Sequence, residues 1–283
     1  MTSQPVELVP DALYAVGDAA PNDGRLSWAS PGTSAFEPVN SFLLVEDGHA
    51  LLIDPGVAAH ESTMLGQLGE ILGPETKLSV FCTRFEGDCV TALGPVIRDF
   101  NVVSIFGGGV SNPFDFFEDV SPQEQIRTDH HIEILRKKAG DTIEVGPGRS
   151  VDLLSTSLRV LTTFWLYDER TGTLFTSDFF AYEGLDHADR SDLVRHTTPD
   201  TFDRSAAARR LFTKIDWLLL ADPAPFVEEL DRLFDTYDIR AIAPGHGRII
   251  VGRETVRSYY ELTRELLLTC GRAHSTGEVP VHG

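Results

Sequence analysis

Thr83-Arg84-Phe85-Glu86-Gly87-Asp88-Cys89 is a polar loop set directly behind a short apolar run at residues 78–82. It carries two carboxylates, a guanidinium and a thiol, and a loop of that kind on the end of a buried strand projects its side chains toward a common point. Upstream, Leu51-Leu52-Ile53-Asp54-Pro55-Gly56 also ends an apolar run on an acidic turn, and residues 40–54 read as a hairpin around Glu46-Asp47-Gly48. Downstream, Leu158-Arg159-Val160-Leu161-Thr162-Thr163-Phe164-Trp165-Leu166-Tyr167-Asp168 and Leu174-Phe175-Thr176-Ser177-Asp178 read as a second hairpin turning over residues 168–172. Ala243-Pro244-Gly245-His246-Gly247 closes the set.

Between these pieces, helices fit 60–72, 90–100, 203–214, 225–236 and 252–270, with Met64, Leu65, Leu68, Ile71 and Leu72 at helical spacing in the first. Strands fit 78–82, 102–106, 143–145, 151–154, 160–167, 173–176, 217–220 and 241–243. Residues 107–128 read as a long loop with a helical turn, and 182–201 as loops and short helices. The chain runs in two halves, each with a hairpin inside, unlike the βαβ rhythm of a dinucleotide-binding fold. Gly107-Gly108-Gly109 lacks the helix and acidic partner that a dinucleotide fingerprint needs. The order predicts an α/β protein: an αββα sandwich of two mixed β-sheets packed face to face, with helices outside.

The five pieces, in this order, resemble the metallo-β-lactamase superfamily, and the resemblance runs from about residue 10 to 268. The loop at 83–89 is similar to one branch in particular. Most of the superfamily has T-H-x-H-x-D-H there, whereas the flavodiiron and oxygen-binding di-iron branch has T-H-x-E-x-D-H. Glu86 and Asp88 match the Glu and Asp of the second pattern, Asp178 matches the bridging carboxylate, and His246 matches the last histidine. Three histidines of the pattern are absent, with Arg84, Cys89 and Arg159 in their places.

The resemblance implies two metal half-sites. One would use positions 84, 86, 159 and 178, which here read Arg, Glu, Arg, Asp. A guanidinium has no lone pair for a metal, so this half is expected to hold Arg–carboxylate pairs, or else its arginines point outward as surface pairs. The other half would use Asp88, Cys89, Asp178 and His246, all legitimate ligands for one iron or zinc ion, unless Cys89 is a buried inert thiol. Asp54 reads as a structural support at its turn. His130 and His131 read as surface residues, and Phe114, Phe116, Phe117 and Trp165 as core or pocket wall.

The chain has 283 residues, 42% hydrophobic and 24% charged, enough for one large domain spanning 1–283 with no flavodoxin module and hence no FMN. A net charge of −19 disfavours nucleic acid and anionic membranes. Neither an apolar span nor a signal peptide is visible, so a cytoplasmic location is expected. Three cysteines, Cys82, Cys89 and Cys270, give no disulfide framework. The expected function is that of a flavodiiron-like protein with an eroded di-metal site, lacking di-iron oxygen or nitric oxide reductase activity. The alternative is a mononuclear iron or zinc protein, a metal-dependent oxidoreductase or hydrolase or an oxygen-binding protein, acting on a small anionic ligand held by Arg84 and Arg159. The resemblance also implies a homodimer, and any redox chemistry would draw on an external partner.

Overall fold

A computed structural model describes residues 3–29, 32–108, 131–198 and 202–276, with side chains as far as 269 in the last segment. Gly109, Phe114, Phe116, Phe117, His130 and His282, the helical turn expected within 107–128, and the side chains of Cys270 and His274 lie outside the described residues.

The first half forms a sheet of strands β1 (Val6–Val9), β2 (Leu13–Pro21), β3 (Phe36–Glu46), β4 (His49–Ile53), β5 (Lys77–Cys82), β6 (Val102–Gly108) and β7 (Glu133–Lys137), hydrogen-bonded in that order. The second half forms another of seven strands: β8 (Thr142–Gly146), β9 (Arg149–Ser155), β10 (Phe164–Asp168), β11 (Thr173–Ser177), β12 (Val194–Arg195), β13 (Ala241–Pro244) and β14 (Ile249–Val251), in the order β12-β14-β13-β11-β10-β9-β8. Both sheets are mixed. Strands β4 to β7 pair in parallel, as do β11 with β13 and β12 with β14, and the remaining pairs are antiparallel.

Side-chain alternation builds the layers. On β4, Leu51 and Ile53 enter a core between the sheets with Phe42, Phe81, Leu153 and Phe175, while Ala50 and Leu52 face the helices α1 (Glu61–Ile71), α2 (Gly87–Val90) and α3 (Leu93–Asp99). The outer face of the second sheet packs through Trp165, Tyr167 and Leu174 against α4 (Arg204–Lys214), α5 (Ala224–Thr236) and α6 (Arg253–Thr276). The result is the αββα sandwich that the element order predicts. Asp47 and Gly48 both have positive φ in the hairpin of β3 and β4, where Glu46 pairs with His49; that two-residue turn is the one the Asp-Gly pair signals.

Some elements differ from the sequence reading. Residues 217–220 are not a strand: Asp216–Leu220 is a 3-10 helix with Leu218 buried and Leu220 79% exposed. A run of Trp and three Leu has no polar alternation to separate strand from helix. Residues 160–163 are outside the sheet, with Val160 and Leu161 exposed. The helix expected at 90–100 is the shorter α3, α2 falls mostly on residues read as loop, and β1, β2, β7, β12 and β14 were not anticipated. Among the described residues no helix is long and apolar enough to cross a membrane.

Candidate metal centre

The ends of four strands converge at one edge of the sandwich. β4 ends before Asp54, β5 before Thr83, β11 before Asp178, and β13 before Gly245 and His246. Backbone bonds lock the two sheets here: Phe164 N–H donates to Thr83 O at 3.0 Å, and Asn40 N–H to Gly245 O at 2.7 Å. Asp54 and Ser177 take left-handed backbone at φ 55° and 54°, a conformation that costs free energy in a residue with a Cβ and so must be held by its surroundings. The Asp54 carboxylate holds the loop behind β5. It accepts from Thr83 N–H and from Thr83 Oγ1, each at 2.7 Å, and Thr83 Oγ1 lies 2.9 Å from Ser177 Oγ. Burial pushes the Asp54 carboxyl up to about 7, with the Arg84 charge pulling the other way.

Arg84 lies at the middle of the edge, 2% exposed. Its Nε donates to Glu86 Oε2 at 2.5 Å and its Nη1 to Ser177 Oγ at 2.5 Å. Its Nη2 donates to Asp88 Oδ2, lies 3.0 Å from Asp178 Oδ1 and 3.4 Å from His246 Nε2. His246 Nε2 in turn lies 2.6 Å from Asp88 Oδ2. A carboxylate only accepts, so Nε2 carries a proton and donates it to Asp88. Burial raises the Asp88 carboxyl, but the His246 hydrogen bond and the Arg84 charge outweigh it and hold Asp88 well below the carboxylate range. Asp178 is lowered too, with burial again opposed by Arg84, then Lys214 and His246.

The structure thus brings Arg84, Glu86, Asp88, Asp178 and His246 together. One ligand atom from each of Asp88, Asp178 and His246 falls within 4.8 Å of the others. Cys89 is not in that group. It sits on α2, 3% exposed in the apolar cluster with Val90, Leu93 and Met64, and burial pushes its thiol up, away from the thiolate a metal needs. Arg159 also stands apart. Its guanidinium donates to Thr163 O at 3.4 Å, because 157–163 leaves the sheet before β10 begins. A cation that the sequence reading missed takes part instead: Lys214, the last residue of α4, reaches Asp178 Oδ1 at 3.2 Å. No sequence motif marks it, since a lysine ending a helix ordinarily complements the helix dipole. Trp28 was missed as well; its ring lies 5.0 Å from that of His246.

A family model described as ODP family beta lactamase matches residues 38–247. No curated protein sequence matches the chain. Among solved structures, rubredoxin oxygen:oxidoreductase from Desulfovibrio gigas is 18% identical with a TM-score of 0.69, over 94% of this chain and 62% of that one. A fragment of a putative diflavin flavoprotein from a Nostoc species is 15% identical with a TM-score of 0.65, over 97% of this chain and all of the fragment. A structure titled as a peroxy diiron species of the chemotaxis sensor ODP is 17% identical with a TM-score of 0.54, over 91% of this chain and 93% of that one. The structural likenesses carry the fold, and the family match covers the five pieces from the strand before Asp54 to Gly247: this chain belongs to the ODP family of the metallo-β-lactamase superfamily, in its flavodiiron-like branch.

Proposed function

We propose that this chain is a flavodiiron-like domain whose di-metal site is replaced by a buried cation cluster, and that it works by binding a ligand or partner, without di-iron oxygen or nitric oxide reduction. One observation carries this reading. Nη2 of Arg84 lies among Asp88 Oδ2, Asp178 Oδ1 and His246 Nε2, the atoms that would surround an ion. The donor set does not fit two irons, since a guanidinium at position 84 neither ligates nor leaves room. Lys214 on Asp178 supplies a second positive charge, so the carboxylates find on side chains the charge that ions would give them. As a member of this fold the protein is further proposed to be cytoplasmic and homodimeric.

A second reading rests on the 4.8 Å grouping of Asp88, Asp178 and His246. Two carboxylates and an imidazole suit a single iron or zinc ion, provided that Arg84 swings away. The anionic substrate expected from a pair of arginines loses support, because Arg84 is engaged by carboxylates and Arg159 is elsewhere.

Elemental analysis after anaerobic reconstitution with ferrous iron, and separately with zinc, separates the two readings. Far less than one ion per chain is expected for either metal. A stoichiometric ion overturns the metal-free reading in favour of the mononuclear one. Arg84→His, which returns a donor to the centre, is expected to gain metal under the same conditions.

A further inference from the structure

Strand β7, Glu133-Ile134-Leu135-Arg136-Lys137, is the outermost strand of the first sheet, hydrogen-bonded to β6 on one side and to no described strand on the other. The other sheet edges offer less. β12 has two residues, Val6, Leu8 and Val9 of β1 pack against the core between the sheets, and Ile143 and Val145 of β8 are buried. In β7, Glu133 to Arg136 are all exposed, with Ile134 at 45% and Leu135 at 37%. An open edge with apolar side chains is a template for another strand, and a lysine on it ordinarily blocks pairing because the incoming strand has to cover the charge. The order of residues in β7 removes that block for one particular strand. Read in opposite directions about Leu135, two copies of β7 set Glu133 against Lys137, Ile134 against Arg136 and Leu135 against itself. In the ladder with β6, Glu133, Leu135 and Lys137 stand beside Ser104, Phe106 and Gly108, so the two charges share one face. Lys137 is already positioned: Nζ donates to Thr142 O at 2.9 Å and lies 5.6 Å from the centre of the Phe106 ring, with two further hydrogens to give. Glu133 and Arg136 have no ion pair among the described residues.

We propose that the outer edge of β7 pairs antiparallel with β7 of a second copy about a two-fold axis at Leu135, joining the first sheets of two protomers into one. Glu133 meets the partner's Lys137 and Lys137 meets the partner's Glu133, the same contact twice, as a two-fold axis requires. Opposite charges directly across an antiparallel pair attract, and Leu135 against its own copy and Ile134 along the stem of the partner's Arg136 cover the exposed apolar groups. Two chains of net charge −19 repel one another over most of their surface, and the run Arg136-Lys137-Lys138 offsets that repulsion around this edge. The pairing rests on the homodimer proposed above and is independent of whether the candidate centre holds an ion.

Sedimentation velocity of the full chain from about 1 to 500 µM tests it, and a dimer is expected within that range. Glu133→Lys and Lys137→Glu are each expected to weaken the dimer at least about tenfold, because each turns two opposite-charge pairs into like-charge pairs. Mixing the two variants sets two lysines against two glutamates and is expected to restore a dimer as tight as the parent's. Leu135→Cys is expected to form an intermolecular disulfide on mild oxidation and Ile134→Cys is not, since only position 135 meets itself; the parent, with Cys82, Cys89 and Cys270, is the blank. A parent dimer that neither charge reversal weakens, or a mixture no tighter than either variant alone, overturns the β7 pairing and leaves the homodimer standing. Cross-linking at 134 as readily as at 135 does the same. A parent that stays monomeric throughout overturns the homodimer, and the pairing with it. Where a charge reversal lowers the melting temperature, the two cysteine variants decide: cross-linking at 135 alone keeps the pairing, and none removes it.

Discussion

Arg84 has almost no water to hydrate its charge, and Glu86, Asp88, Asp178 and the Ser177 hydroxyl provide what solvation it has. Removing a buried cation of this kind leaves carboxylates that repel each other without compensation. Arg84→Met is therefore expected to cost about 3 kcal/mol in urea unfolding, whereas a loss under about 1 kcal/mol would make the cluster no more than a surface ion pair. Asp54 titrates in the opposite sense from its neighbours. Its carboxyl moves from 3.8 in the unfolded chain to about 7 when folded, so its contribution is fully present below the lower value and is lost as pH rises through the upper one. Asp88 and Asp178 are lowered, so theirs is present above the ordinary carboxylate range and lost as pH falls through it. Melting temperature should thus drop at both ends, and Asp54→Asn should remove the decline on the way to pH 7. The same decline in the variant would assign it to another group. The gathering of Arg84, Glu86, Asp88, Asp178 and His246 was readable in the sequence because each belongs to a short motif at a strand end. Lys214 and Trp28 come from a helix terminus and a loop with no motif, and tertiary packing alone brings them in. Arg159 has the motif position, but the chain around it leaves the sheet and takes the side chain along.

Elements with a clear period were the readable ones. The helix at Glu61–Ile71 and the hairpin at β3 and β4 follow from spacing and from an Asp-Gly turn. Asp203 accepts from Ala206 N–H at 2.9 Å and starts α4 where the sequence places it, which fixes how far Lys214 reaches eleven residues on. Trp217-Leu218-Leu219-Leu220 misled because an unbroken apolar run fits either a buried strand or a turn of helix. The structure separates its leucines sharply, with Leu218 3% exposed and Leu220 79%. Leu220→Lys should therefore change stability by less than about 0.5 kcal/mol, while Leu218→Lys, which buries a charge, should cost more than about 3 kcal/mol. A strand with both leucines inside would make the two variants equally damaging, so paired denaturation curves decide between the geometries. Strands β2 and β7 escaped the sequence reading for the reverse reason. Gly17, Ala19 and Ala20 dilute the alternation of β2, and the residues of β7 are mostly exposed.

The whole molecule carries a net charge of −19, yet several of its arginines are inside, tying layers together. Arg210 of α4 meets both oxygens of Glu37 on β3 at 3.0 and 2.9 Å, joining a helix that covers the second sheet to the first sheet. Arg149 of β9 meets Asp168 of β10 at 2.6 Å and also donates to Val45 O on β3 and to Ala12 O in the turn before β2. Arg210→Met alone should cost about 3–5 kcal/mol by stranding Glu37, and Arg210→Met with Glu37→Leu should recover most of that; a double-mutant cycle measures the coupling. Such links join the halves with protein atoms alone, and Arg84 does the same at the candidate centre by bonding to Glu86 and Asp88 on its own loop and to Ser177 and Asp178 behind β11. On the proposed metal-free reading these side chains do at that edge what an ion would do. A protein holding an ion at a hundred times its dissociation constant would lose about 2.7 kcal/mol on chelation, a fall of several degrees in melting temperature for a chain of this size. Here EDTA is expected to leave the melting temperature where it was, and added zinc or ferrous iron is expected not to raise it. A rise with either metal that EDTA reverses would mean that Arg84 yields its place to an ion, and the cross-link between the sheets would then be metal after all.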